Sequence, residues 1–209
     1  MKFETKNSLH SWSEQRPILE IDDSFLIPLL EGLASKQICE LGPGPGKRAE
    51  TLLRYFPDSE YRAFEPSPSF RKQCASALAG FAERAHVEGK NLATPFPNES
   101  RSADLVLILD LIEFLRMDEL YMVLSEARRI LRPGGICVMR SLGSGVTSLE
   151  KFLARTRTVF TEYAPGIFHG SRPLELTHYI SPEDWTIVSV TDAPEGWMRR
   201  KTLICRRIE

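Results

Sequence analysis

A chain of 209 residues with 42% hydrophobic and 26% charged content carries enough apolar material for one substantial core, without disulfides. Its formal net charge of −1 gives no sequence-wide attraction to nucleic acid or to an anionic membrane. No apolar run approaches the ~18 residues of a spanning helix, and Met1–Ser13 lacks the apolar stretch of a signal peptide. The four cysteines, Cys39, Cys74, Cys137 and Cys205, are widely spaced and form no CxxC pair. They read as buried thiols in a reducing compartment, with no metal site. These features predict a soluble cytoplasmic protein with no nucleic-acid or membrane partner. The basic clusters Lys47-Arg48 and Arg199-Arg200-Lys201 read as solvated faces.

Residues 1–35 hold a polar arm and an apolar segment, Phe25–Leu33, which together read as an N-terminal cover. Gln37–Leu41 is a short strand that stops at Gly42, and Lys47–Phe56 is a helix with Ala49, Leu52, Leu53 and Phe56 on one face. A second strand, Tyr61–Glu65, ends at Pro66. Ser67-Pro68 then gives an N-cap followed by proline at the first helical position. The helix carries Phe70, Cys74, Ala77, Leu78 and Phe81 at helical spacing, and Gly80 marks its end. Arg84–Glu88 is a weak third strand. Asp104–Leu109 is a continuous apolar run of the kind buried on both faces of a sheet.

The next helix spans about Met117–Leu131, and Pro133-Gly134-Gly135 turns into a fifth strand, Ile136–Arg140. Such strand–helix alternation predicts an α/β fold, a single-domain doubly wound sheet, mostly parallel. Residues 142–184 interrupt it with a glycine-rich start, a helix over Leu149–Tyr163 and a loop rich in His, Pro and Gly, read as a substrate cover. Thr186–Val190 and Lys201–Arg206 follow without a helix between them, so residues 185–209 read as a closing antiparallel hairpin.

The turn Gly42-Pro43-Gly44-Pro45-Gly46 joins the first strand to the first helix. Glycine lets a ligand approach the backbone, and the helix start directs unpaired N–H groups toward it. Glu65 ends the next strand, where a carboxylate can accept hydrogen bonds from both ribose hydroxyls, the nucleoside-binding arrangement of a doubly wound sheet. A phosphate loop would need one more residue before the lysine, and Ser or Thr where Arg48 stands. A nicotinamide fingerprint would need Gly where Lys47 stands. A glycine loop with no ligand is the plain alternative, and Glu65 argues against it.

Five ordered blocks carry a family resemblance: Ile38–Gly46, Phe64–Ser67, Thr94–Pro97, Asp104–Leu115 and Arg129–Gly135. Over residues 37–141 the sequence resembles the class I S-adenosylmethionine-dependent methyltransferases of the small-molecule, type 11-like group. The resemblance implies a seven-stranded sheet with an antiparallel C-terminal strand, and a transferase acting on N or O of a small molecule. It implies that S-adenosyl-L-methionine lies against Gly42, Pro43, Gly44 and Gly46, with Glu40 positioning the turn. Glu65 would hold the ribose and Pro66 the adenine face, with Asn91, Leu92 and Asp110 completing the site. Lys90 stands where the family offers an Asp to the adenine amine; Asn91 beside it, or a backbone carbonyl, is the substitute. Phe114 replaces the histidine of the family's Asp-x-x-Glu-His run.

Candidate catalytic residues are Asp110, Glu113 and His169, with His178 also considered; His10 and His86 read as surface and strand residues. Trp12, in the polar arm, is placed to close over a ligand. Asp110, Glu113, Glu162 and Glu175 lean toward an amine substrate. A non-catalytic or regulatory subunit that binds S-adenosylmethionine stays open, as does another reaction on the same scaffold. The expected assembly is a monomer or homodimer, and the substrate is unread.

Overall fold

The computed structural model describes residues 37–92, 94–143, 147–149, 151–152, 156, 173–195 and 198–209. The N-terminal cover, Trp12, His10, most of the helix read over 149–163 and His169 lie outside them. Seven strands form one sheet: β1 (Gln37–Leu41), β2 (Glu60–Phe64), β3 (Ala85–Glu88), β4 (Ala103–Leu109), β5 (Leu131–Leu142), β6 (Trp185–Glu195) and β7 (Met198–Arg207). Their order is β3-β2-β1-β4-β5-β7-β6. All pairs from β3 across to β5 are parallel, whereas β7 is antiparallel to both β5 and β6. The reversed strand is therefore β7 alone. A hairpin needs only a few residues, whereas a parallel return needs a crossover, so the short link from Glu195 to Met198 dictates the reversal.

Among the described residues, helices α1 (Lys47–Tyr55), α2 (Pro68–Ala77) and α3 (Met117–Ile130) follow β1, β2 and β4. The Ser67 hydroxyl caps α2 by accepting the Phe70 N–H at 3.3 Å. Successive strand side chains point to opposite faces, so β4 feeds two cores. Leu105, Leu107 and Leu109 pack with Ala49, Leu52, Leu53 and Cys74 of α1 and α2. Val106 and Ile108 pack with Val123, Leu124, Ala127 and Ile130 of α3. Burial on both faces is the reason this strand reads as an unbroken apolar run.

Three sequence expectations are corrected. The Pro133-Gly134-Gly135 segment is an irregularity within β5 and not a turn leading into it: Leu131 already pairs with Ala103, and the register shifts before Ile136 pairs with Leu105. Gly134, at φ 76°, takes up that shift. Helix α2 stops at Ala77, and Gly80 sits in a separate 3-10 turn, Ala79–Phe81. Both hairpin strands run longer than their apolar runs, because strand pairing continues through residues 191–195 and 198–200.

No helix among the described residues is long and apolar enough to cross a membrane. All four cysteines are buried and free. Burial pushes the Cys39 and Cys205 thiols up to about 12, and a thiol that resists ionisation is a poor nucleophile. Iodoacetamide near pH 8 is therefore expected to leave all four unmodified in the native protein and to label all four in denaturant. Rapid native labelling of Cys137 or Cys205, which face each other across β5 and β7, would show that this part of the sheet opens.

Candidate functional site

The carboxyl ends of β1, β2 and β4 converge on the glycine turn. Gly42, Gly44 and Gly46 have φ of 71°, 61° and 88°, in the left-handed region that side chains disfavour. Their surroundings differ. A Cβ on Gly42 would lie 3.2 Å from Leu111, and one on Gly46 would lie 2.8 Å from the Cys74 Cα. A Cβ on Gly44 would meet nothing within 4 Å among the described residues. Gly46 thus lets α1 start hard against α2, while Gly44, itself buried, leaves the space of its missing Cβ free of described atoms.

Glu65 ties the turn to α2. One carboxylate oxygen accepts the Gly44 N–H at 3.0 Å and the other accepts the Ser67 N–H at 2.8 Å. The side chain is 4% exposed. Pro66 beside it is half-buried, and Pro43 is buried. After β3, Asn91 is exposed and its carbonyl accepts from Thr94. The Leu92 side chain lies wholly within the α3-side core.

Beneath the turn runs a buried network of three acids and three arginines. Glu40 accepts from Arg48 at 3.1 Å and from the Tyr61 hydroxyl at 2.7 Å. Arg48 also donates to Asp110 at 3.1 Å. Asp110, at φ 56°, takes Arg140 on both oxygens and lies 3.2 Å from Arg200. Arg200 donates to Glu113 at 2.7 Å, and the Ser141 hydroxyl donates to the other Glu113 oxygen at 3.1 Å. Burial pushes the Asp110 carboxyl up, but Arg140, then Arg200 and Arg48, reverse this and hold it below the usual carboxylate range.

The structure brings Glu40, Gly42, Pro43, Gly44, Gly46, Glu65, Asp110 and Glu113 together at the end of the sheet where the parallel strands finish. His178 is exposed in the 3-10 turn Leu176–Tyr179, and His86 is exposed on β3. The solvated-face reading of the basic clusters is overturned. The Arg48 and Arg200 side chains are only 11% and 13% exposed, because each is drawn inward by two carboxylates. Lys201 likewise holds Glu175 at 2.6 Å. Three of the four acids that leaned toward an amine substrate are therefore already neutralised, and Glu162 lies outside the described residues.

Sequence reasoning missed Arg48, Arg140, Arg200, Tyr61 and Ser141. One signal was available. Glu40, Asp110 and Arg140 each interrupt or end an apolar strand run, and parallel pairing of β4 with β5 places Arg140 opposite Leu109, next to Asp110.

Residues 39–139 match the model of a family described as a methyltransferase domain. Over that segment the chain is similar to methyltransferase domains. No curated protein matches the chain, but solved structures do. The N-methyltransferase NodS from Bradyrhizobium japonicum superposes with a TM-score of 0.66 at 16% identity, over 89% of this chain and 94% of that one. A geranyl diphosphate methyltransferase, solved in complex with GPP and sinefungin, gives 0.67 at 12% identity, over 88% and 77%. The [4+2]-cyclase SpnF gives 0.67 at 14% identity, over 88% and 81%. At these identities the likeness is one of fold. The chain is similar in fold to all three, and the last shows that this fold alone does not name a reaction.

Proposed function

We propose that the protein uses S-adenosyl-L-methionine to methylate a nitrogen or oxygen of a small molecule. The observation that carries this reading is the glycine turn, where a Cβ on Gly44 would meet no described atom, flanked by Glu65 at the end of β2. The residues fit such a group. A carboxylate accepts roughly four hydrogen bonds, so Glu65 can take ribose hydroxyls while holding the Gly44 and Ser67 N–H groups. Gly42 and Gly44 put no side chain between the backbone and a ligand, Pro66 offers a flat apolar face to the adenine, and Asn91 offers a polar one.

The cofactor's sulfonium supplies an activated methyl, which leaves the chain the tasks of alignment and desolvation. Asp110 serves those tasks as a fixed anion. Three arginines hold it deprotonated and lower its basicity, so it organises the floor of the site and does not accept the substrate's proton. Glu113, shared between Arg200 and Ser141, and His169 are the remaining candidates for that proton.

The arginine clamp on Asp110 also favours a second reading, a subunit that binds S-adenosylmethionine without turning it over. One pair of measurements separates the two. Titration calorimetry with S-adenosylhomocysteine is expected to give saturable binding, and no heat at ~100 μM ligand would remove the cofactor from either reading. Methyl transfer to some member of a panel of small amines, phenols and carboxylates supports the enzyme; binding without any transfer supports the subunit. Glu65→Ala is expected to weaken S-adenosylhomocysteine binding by about 1–3 kcal/mol. An unchanged affinity would place the ribose elsewhere.

A further inference from the structure

A cleft of about 670 Å3 opens at the opposite end of the sheet, where the parallel strands begin. Arg101 precedes β4, Arg128 lies in the last turn of α3, Arg207 ends β7 and Asp184 precedes β6, and all four line the cleft. Arg207 is 7% exposed. One of its Nη atoms donates to the Leu131 carbonyl, while its Nε is buried without a hydrogen-bond partner. The Arg128 Nε lies 2.8 Å from an Asp184 oxygen, within ion-pair reach but not in hydrogen-bond geometry. Arg129, also at the cleft, is taken up by Glu126 at 2.8 Å and by the Asn98 and Phe96 carbonyls.

Among the described residues lining the cleft, the guanidiniums of Arg101, Arg128 and Arg207 thus face a single carboxylate. Burial, and then the positive charges of Arg128 and Arg101, lower the Arg207 pKa from its usual value. Arginine still stays protonated, so the crowding persists as repulsion that a bound anion relieves. The excess of two positive charges matches a phosphomonoester, which carries about −1.5 to −2 near pH 7. A carboxylate, with one charge, balances half of it. Planar guanidiniums also suit phosphate oxygens. Above the cationic floor stand Tyr121 and Tyr179, edge to face with centroids 6.2 Å apart, and Tyr121 is 57% exposed. Such a wall suits a flat ring.

We propose that this cleft is a second binding site that takes a phosphomonoester bearing an aromatic ring. The phosphate lies against Arg101, Arg128 and Arg207, and the ring against Tyr121 and Tyr179.

The test is calorimetric titration of the full chain with phenyl phosphate, with inorganic phosphate and benzoate as comparison probes. Phenyl phosphate is expected to bind saturably and more tightly than either. Arg101→Gln, which alters an exposed side chain, and Arg128→Gln are each expected to weaken it about tenfold or more. Both variants should bind S-adenosylhomocysteine as the parent does. The proposal is overturned if phenyl phosphate gives no saturable heat up to ~10 mM, or if benzoate binds as tightly. It is equally overturned if both variants keep the parent affinity, or if S-adenosylhomocysteine displaces the phosphate.

Discussion

Asp110→Ala is expected to destabilise the protein by about 3–5 kcal/mol, measured by urea unfolding, because it strips the counter-charge from a buried guanidinium. Arg140 is 2% exposed, and its Nε and Nη2 both donate to Asp110. Arg48 keeps Glu40 and Arg200 keeps Glu113 in that variant, so the loss centres on Arg140. Replacing both partners, as Asp110→Leu with Arg140→Met, is expected to cost less than Asp110→Ala alone, since a buried ion pair exchanged for apolar side chains leaves no charge behind. A double variant less stable than the single one would show that the pair itself contributes more than its desolvation costs.

The same carboxylate gives a pH signature. Its folded pKa is depressed relative to the unfolded chain. Its contribution to stability is therefore complete above the ordinary aspartate value of about 3.9 and is lost as the pH falls below that through the folded value. Asp110→Asn should remove this part of the acid-unfolding slope. An Asn variant that retained the parent slope would assign acid sensitivity to other carboxylates.

Legibility of the fold followed burial. Strands β1 and β4 and helix α3 carry apolar patterns set by the core, so their limits were readable to within a residue. The Pro133–Gly135 irregularity was misread because its residues are those of a turn, and only the pairing of Leu131 with Ala103 makes it part of a strand. At the candidate site, the placement of the glycine turn and of Glu65 was readable because it depends on local backbone geometry and on strand ends. The arginines were not. Arg200 lies 87 residues from its Glu113 partner, and Arg48 lies 62 from Asp110. A charge looks solvated in sequence until folding brings a carboxylate beside it. Arg140 is the instructive case: an arginine ending an apolar β5 run needed a counter-charge, and Asp110 ends the neighbouring strand.

Two alanine substitutions in the glycine turn are expected to act on different properties, stability at Gly46 and ligand affinity at Gly44. Gly46→Ala places a methyl 2.7 Å from the Cys74 Sγ and 2.8 Å from its Cα at a φ of 88°. The left-handed backbone costs about 1–2 kcal/mol for a non-glycine residue, and the overpacking about 1–3 kcal/mol. Their sum predicts a loss of about 2–5 kcal/mol on unfolding. Cys74→Ala should recover only part of it, because the Cα of residue 74 stays in the way. Gly44→Ala incurs the backbone cost alone, about 1–2 kcal/mol, since its Cβ meets no described atom. That methyl instead enters the space where the cofactor is proposed to approach, so its main effect should fall on S-adenosylhomocysteine affinity, by about tenfold or more. If Gly44→Ala binds the ligand as tightly as the parent, the Gly44 side of the turn is not the cofactor's path.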